Sequence, residues 1–266
     1  MNMEQFKRHC EVAQKAFTDG SYIWFGTFLY GSQNYGLDTE ESDVDTVSLY
    51  IPTLKTMTGE RGGKLLSIEK IFDSNDESIK DHMVLKDIRL WIKELSKGSP
   101  NAIELVYTFY KEINKDFYTA WRRLVGYNLF RINPQGTIKA LVGMIWTNLK
   151  KVASPRDYNE RDSTAGYNVK AFSESVRLIY ALFSCCNPTS NYAWAFTPRQ
   201  DVVRKFILEA KKGEIERERV MGWVRVFRDI LIDQSYLQVP IVPLENGSQI
   251  LNRWIEGLFE GTLNKS

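Results

Sequence analysis

The chain is predicted to be an α+β protein, with strands and helices mixed in residues 1–115 followed by an all-α region in 116–266. Strand-like apolar runs and helical spacings alternate in the first part, whereas beyond it one helical face follows another. With 43% hydrophobic and 26% charged residues, the 266-residue chain has enough apolar surface for one large or two modest cores.

The elements follow in order. Ile23, Trp24, Phe25, Phe28 and Leu29 predict a strand that delivers the turn Gly31-Ser32. A second extended run, Val44 to Ile51, leaves an acidic loop and carries Asp43 and Asp45 at its start. Ile79 to Leu85 predicts a short strand that can pair beside it. Asp87 then stands just before a helix with Ile88, Trp91, Ile92 and Leu95 on one face, the position of an N-cap. Gly98-Ser99-Pro100 ends that helix, and Pro100 opens the next with Ser99 as its cap.

Helical spacing recurs in Ile138, Leu141, Val142, Ile145, Trp146 and Leu149, and again in Val202, Val203, Phe206, Ile207 and Ala210 behind a Thr197-Pro198-x-Gln200 capping box. Trp223, Val224, Phe227 and Leu231 supply a further face, as do Ile250, Leu251, Trp254, Ile255 and Leu258. These aromatic residues are expected in cores.

Charge and rare residues narrow the function classes. Lys and Arg number 35 against 33 Asp and Glu, so a net charge of +2 does not demand a nucleic-acid partner. No apolar segment approaches the ~20 residues of a membrane span, and MNMEQFKRHCEV lacks a signal-peptide core, so a cytoplasmic protein is expected. Cys10, Cys185 and Cys186 offer neither a disulfide framework nor zinc spacing and are expected to be core thiols. With only His9 and His82, a histidine-based triad or metallohydrolase site would need almost every histidine; His82 is expected to face away from its neighbour Asp81.

The Gly-Ser turn and the paired aspartates carry the chemistry. Gly31 lacks a Cβ, so the backbone there can approach a polyphosphate, and the Ser32 hydroxyl can add a hydrogen bond. Side chains alternate along a strand, which sends Asp43 and Asp45 to one side and Val44 to the other. Two hard oxygen ligands facing one point suit Mg²⁺ held by a few carboxylates and substrate phosphates. The competing reading is a solvated acidic turn of Asp38, Glu40, Glu41, Asp43 and Asp45.

Tyr30 to Pro52 (YGSQNYGLDTEESDVDTVSLYIP) resembles the Gly-Ser…Asp-x-Asp active-site signature of the DNA polymerase β-like nucleotidyltransferase superfamily. Gly36 and Ser42-Asp43 look most like its branch of nucleotidyltransferases associated with RNA repair. Residues 81–107 are similar to that branch's strand, helix, Gly-Asn-Pro turn and helix, with Ser99 where Asn is usual. Gly166 to Leu178 (GYNVKAFSESVRL) is similar to its Gly-Tyr-x-x-Lys…Arg-Leu helix, with Ser and Glu where relatives often carry His. The resemblance implies a small mixed-sheet nucleotidyltransferase core in 1–115, a helical domain in 116–266, Mg²⁺ or Mn²⁺ as cofactor and a nucleoside triphosphate as substrate.

Chemistry and resemblance together call for a third carboxylate, since two-metal sites use a further acid on the metal that activates the attacking hydroxyl. Asp81 is the candidate, in the run beside the Asp-x-Asp strand; Asp87 is the alternative, and Asp73 and Asp76 read as loop acids. Lys170 and Arg177, seven residues apart on one helix, are candidates to clamp the β- and γ-phosphates; the competing reading is an exposed pair bridged by Glu174. The polar segment 153–168, with Arg156, Tyr158 and Arg161, reads as a substrate loop or a solvated one.

The expected activity is transfer of a nucleoside monophosphate from an NTP to an acceptor hydroxyl, such as an RNA or tRNA end, releasing pyrophosphate. Gly31, Ser32, Lys170 and Arg177 would hold the nucleotide, and Asp43, Asp45 and Asp81 the metal. The alternatives are transfer to a protein or small molecule, nucleotide second-messenger synthesis, and a non-catalytic nucleotide-binding module.

Overall fold

The run around Ile23–Leu29 forms β1 (Tyr22–Tyr30), and the Asp-x-Asp run forms β2 (Asp45–Pro52), its antiparallel partner. The computed structural model describes residues 3–39, 42–58, 65–73, 80–154, 159–187, 195–233 and 243–263. Within them β3 (Ser67–Asp73), β4 (Lys80–Asp87) and β5 (Lys111–Ile113) complete a five-stranded sheet in the order β3-β4-β2-β1-β5. The β2–β4 pair is parallel and the others are antiparallel, so the sheet is mixed and the protein is α+β.

Alternation along the strands, interrupted in β1 by a bulge between Trp24 and Gly26, sorts the core onto two sheet faces. On one, α1 (Met3–Gln14) brings Ala13 against Tyr50, Met83 and Leu85, and Phe6 and Cys10 against Leu29 and Val44. On the other, Phe25 and Phe28 of β1 meet Trp121 of α5 (Tyr118–Val125), with ring centroids 6.0 and 4.8 Å away. Trp91 of α3 (Ile88–Ser96) and Trp254 of the C-terminal helix (Gly247–Leu263) join that cluster. Burying each such ring stabilises the fold by about 1.5–3 kcal/mol.

Asp87 caps α3, its side chain accepting from the Arg89 amide at 2.8 Å. Ser99 is the N-cap of α4 (Pro100–Tyr107), with Pro100 in its first turn, although the Ser99 side chain makes no cap bond. The short helix α2 (Leu54–Thr58) follows β2.

The chain divides into two compact units, residues 1–133 with 243–266, and residues 134–242. These do not follow a cut at 115/116. The helix α5 and the turn Leu129–Ile132 belong to the sheet-bearing unit, and the C-terminal helix returns to it, its Trp254 Nε1 donating to the Ala120 carbonyl at 2.7 Å.

The second unit is helical, with α6 (Pro134–Val152), α7 (Glu160–Ala165), α8 (Val169–Cys186), α9 (Asp201–Lys212) and α10 (Arg217–Asp233), making the C-terminal helix α11. Phe172 of α8 packs edge-on to Phe206 of α9, which meets Trp223 of α10. The anticipated capping box at Thr197 does not form: α9 begins at Asp201 with Gln200 as N-cap and no side-chain cap bond, so the helix starts four residues after the threonine.

Cys10, Cys185 and Cys186 are buried free thiols, and burial pushes Cys10 up to about 12 and Cys186 up to about 11. Among the described residues no helix is long and apolar enough to cross a membrane.

Candidate active site

The site grows from the end of β1. Gly31 follows Tyr30 with φ 75° and ψ −160°, a conformation essentially reserved for glycine. A Cβ at this position would lie 2.8 Å from Asp45 Oδ2, so the Gly31 backbone rests directly against that carboxylate. A single turn of 3₁₀-helix, Ser32–Tyr35, then reverses the chain and closes at Gly36 in the left-handed conformation.

Buried amide side chains of this turn fix both ends of the corner. Gln33 Nε2 donates to the carbonyls of Ser42 at 3.1 Å and Asp43 at 2.9 Å, tying the entry to β2 onto the turn. Asn34 Oδ1 accepts from Thr108 Oγ1 at 2.6 Å and from the Phe109 amide at 3.3 Å. Tyr35 donates its hydroxyl to the buried carboxylate of Glu104 on α4. Gln33, Asn34, Tyr35 and Glu104 escaped the sequence reading because their partners lie 9 to 75 residues away.

Asp43 and Asp45 are half-buried, while Val44 and Thr46 between and after them are buried. The alternation of burial is that of an extended chain, although Asp43 precedes the start of β2, and it puts the two acids on the side away from Val44 and Thr46. Ser32, half-buried, opens the turn beside Gly31.

Asp81 is not brought to that face. Asp45 pairs with His82 in the parallel β2–β4 ladder, so His82 shares its side and Asp81 projects to the other, with Met83 and Leu85. Asp81 is 2% exposed, and its Oδ1 accepts the Val44 amide at 2.9 Å. Its Oδ2 is 3.9 Å from Nε2 of the buried His9, whose Nδ1 shares a 2.8 Å hydrogen bond with Thr46 Oγ1. Burial lowers the His9 pKa, a shift that the Asp81 carboxylate partly offsets. The alternative third acid, Asp87, is fully buried as the α3 cap and held by Arg89 at 2.7 Å. His82 is half-buried and bonds Glu69, facing away from Asp81.

Two carboxylates beside a glycine turn fit one Mg²⁺ or Mn²⁺ whose remaining ligands come from phosphate and water. Among the described residues, no group of three or more His, Cys, Asp or Glu is placed to hold a metal.

In the helical unit, the segment resembling the Gly-Tyr-x-x-Lys…Arg-Leu helix is engaged in its own packing. Gly166 ends α7 in the left-handed conformation, Tyr167 is buried, and Asn168 caps α8. Asp162 Oδ1 accepts the Val169 amide at 2.8 Å. Lys170 is exposed, whereas Arg177 is 4% exposed and binds Glu174 through two nitrogens at 2.9 and 2.7 Å and the Phe196 carbonyl at 3.3 Å. Glu174 thus bonds Arg177, and the two candidate cations differ in exposure. Arg161 donates to the Lys211 carbonyl at 3.3 Å; Arg156 and Tyr158 lie outside the described residues.

No family model matches the chain, and no curated protein matches it significantly. Among solved structures it is similar to a nucleotidyltransferase-like protein from Exiguobacterium sibiricum 255-15, with 13% identity over 89% of this chain and 78% of that one. The TM-score of 0.34 makes this a weak likeness, which bears on neither activity nor acceptor.

Proposed function

We propose that the protein is a nucleotidyltransferase that moves a nucleoside monophosphate from an NTP to an acceptor hydroxyl and releases pyrophosphate. The observation that carries this reading is the corner itself, with Gly31 against Asp45 and the carboxylates of Asp43 and Asp45 on one face. A glycine-only conformation seats the turn backbone against an acid that would hold a metal, and a solvated acidic turn requires neither feature.

In this reading the Gly31–Ser32 backbone and the Ser32 hydroxyl hold the triphosphate, and Asp43 and Asp45 hold Mg²⁺ or Mn²⁺. When bound there, such a cation would supply charge neutralisation for the phosphates and a lowered pKa for the acceptor hydroxyl. The Gln33 bonds to the Ser42 and Asp43 carbonyls keep the acids in register with the turn. Fixing that register would matter to the reaction, since small misplacements of reacting groups are costly in rate. The acceptor we favour is an RNA or tRNA end, following the resemblance to the RNA-repair branch.

The test is incubation of the protein with each α-labelled NTP, Mg²⁺, and separate RNA and protein acceptor mixtures. Label is expected in RNA from a preferred NTP and should be absent with Asp43→Asn or Asp45→Asn. Transfer that persists in a well-folded double variant would overturn the mechanism, while label in the protein mixture would correct the acceptor.

A further inference from the structure

We infer that Asp81 is a positioning residue that aligns the Asp43 and Asp45 carboxylates through the Val44 amide between them, rather than a metal ligand. The inference rests on the reading of Asp43 and Asp45 as the metal-holding pair. The parallel ladder brings the His82 amide to the Val44 carbonyl at 3.2 Å, and Asp81 Oδ1 receives the Val44 N–H at 2.9 Å. The residue between the two acids is therefore gripped on both of its backbone polar groups by consecutive residues of β4.

The grip is made in a dry environment. Val44 is 2% exposed, Asp81 2%, His9 1% and Thr46 2%, so Asp81 cannot reach a solvent-filled cleft without opening this layer. The Val44 side chain packs with Phe6, Cys10 and Leu29, which fixes the strand from below. His9 bonds Thr46 and lies beside Asp81, so α1 buttresses the residues that follow each acid. A buried amide left without its acceptor is costly, and a strand entry that shifts or rotates would carry both flanking carboxylates with it.

Two substitutions separate positioning from ligation. In Asp81→Asn the side-chain carbonyl can still accept the Val44 N–H, whereas Asp81→Ala removes the acceptor. The probe is Mn²⁺ alone, titrated against the full chain with free Mn²⁺ read by electron paramagnetic resonance. The order of binding should be wild type, then Asp81→Asn within a few-fold, then Asp81→Ala weaker by about 10-fold or more, the range found when groups supporting metal ligands are lost. Asp43→Asn with Asp45→Asn should abolish it.

Equal Mn²⁺ binding in Asp81→Ala and wild type, with Asp81→Ala merely less stable to urea, would overturn the inference in favour of a purely structural acid. A loss in Asp81→Asn as complete as in the Asp43/Asp45 double variant would also overturn it, and would make Asp81 a ligand. Absence of Mn²⁺ binding in the wild type would remove it altogether. Nucleotide transfer is measured separately on the same variants. Ordered Mn²⁺ binding without transfer from any NTP would leave the positioning role standing and reject the transferase reading.

Discussion

At the Gly31–Asp45 corner, buried Gln33, Asn34 and Asp81 bond mainly to backbone and leave Asp43 and Asp45 half-buried on one face. In α8 a buried polar residue is itself the charge, Arg177, held by Glu174 and a carbonyl. In the first arrangement the acids stay half-buried beside the glycine turn, and in the second the cation is buried against its carboxylate partner. A charged residue in a promising pattern is therefore informative only once its bonding partners are known.

The largest expected effect lies at the acids. Asp43→Asn or Asp45→Asn should lower transfer by at least roughly 10²-fold, the scale of losing a main electrostatic stabiliser of the transition state. Urea unfolding should stay near wild type, because neither side chain is in the core. A variant that loses transfer and stability together would place the acid among the structural groups and erase the contrast with α8.

Gly31→Ala comes next, since it meets both a forbidden conformation and the Asp45 carboxylate at 2.8 Å. Strain of about 1–3 kcal/mol is expected in urea unfolding, together with weaker nucleotide binding. A fully stable variant would mean that the turn is softer than its glycine geometry implies.

On the helical side, Arg177→Met should cost about 1–3 kcal/mol, the lower end being favoured because Glu174 is about one-third exposed and can rehydrate. Lys170→Ala, at an exposed position, should stay within about 0.5 kcal/mol of wild type. Nucleotide titration of both variants sharpens the comparison. If Lys170→Ala weakens NTP binding while leaving stability unchanged, α8 takes part in binding through its exposed cation.

The smallest effect is a pH dependence at His9. Burial lowers its folded pKa from 6.5, with Asp81 raising it in part and Arg8 lowering it further. The unfolded chain therefore takes up a proton that the folded chain resists. The stability associated with neutral His9 is complete above about pH 6.5 and falls as pH drops toward the folded value. Urea midpoints compared above and below that pH should fall less in His9→Gln than in wild type. Identical pH profiles would show that His9 titrates normally.

Much of the corner was legible because its signals are local. Gly-Ser after an apolar run, alternation through Asp43-Val44-Asp45, and an acid before Ile88 each follow from a few neighbouring residues, and each appears in the structure. The side taken by Asp81 was not legible, because Met83, Val84 and Leu85 make both phases of β4 apolar. The parallel register and α1 decide that Met83 and Leu85 face the core with Asp81. The return of α11 to the sheet-bearing unit was hidden for a similar reason: its apolar face identifies a helix, and only tertiary packing selects the surface it covers. Thr197-Pro198-x-Gln200 matched a capping pattern three residues before the actual N-cap, Gln200, showing how short motifs misplace a boundary.

Nucleotidyl transfer at the Asp43–Asp45 face can be followed with the preferred NTP labelled at either the α- or the γ-phosphorus, together with Mg²⁺ and an RNA acceptor. The α-label should enter the acceptor while the γ-label leaves in pyrophosphate, and the Asp43→Asn, Asp45→Asn double variant should do neither. Entry of the γ-label into the acceptor, or equal α-label transfer by the double variant, would contradict that prediction.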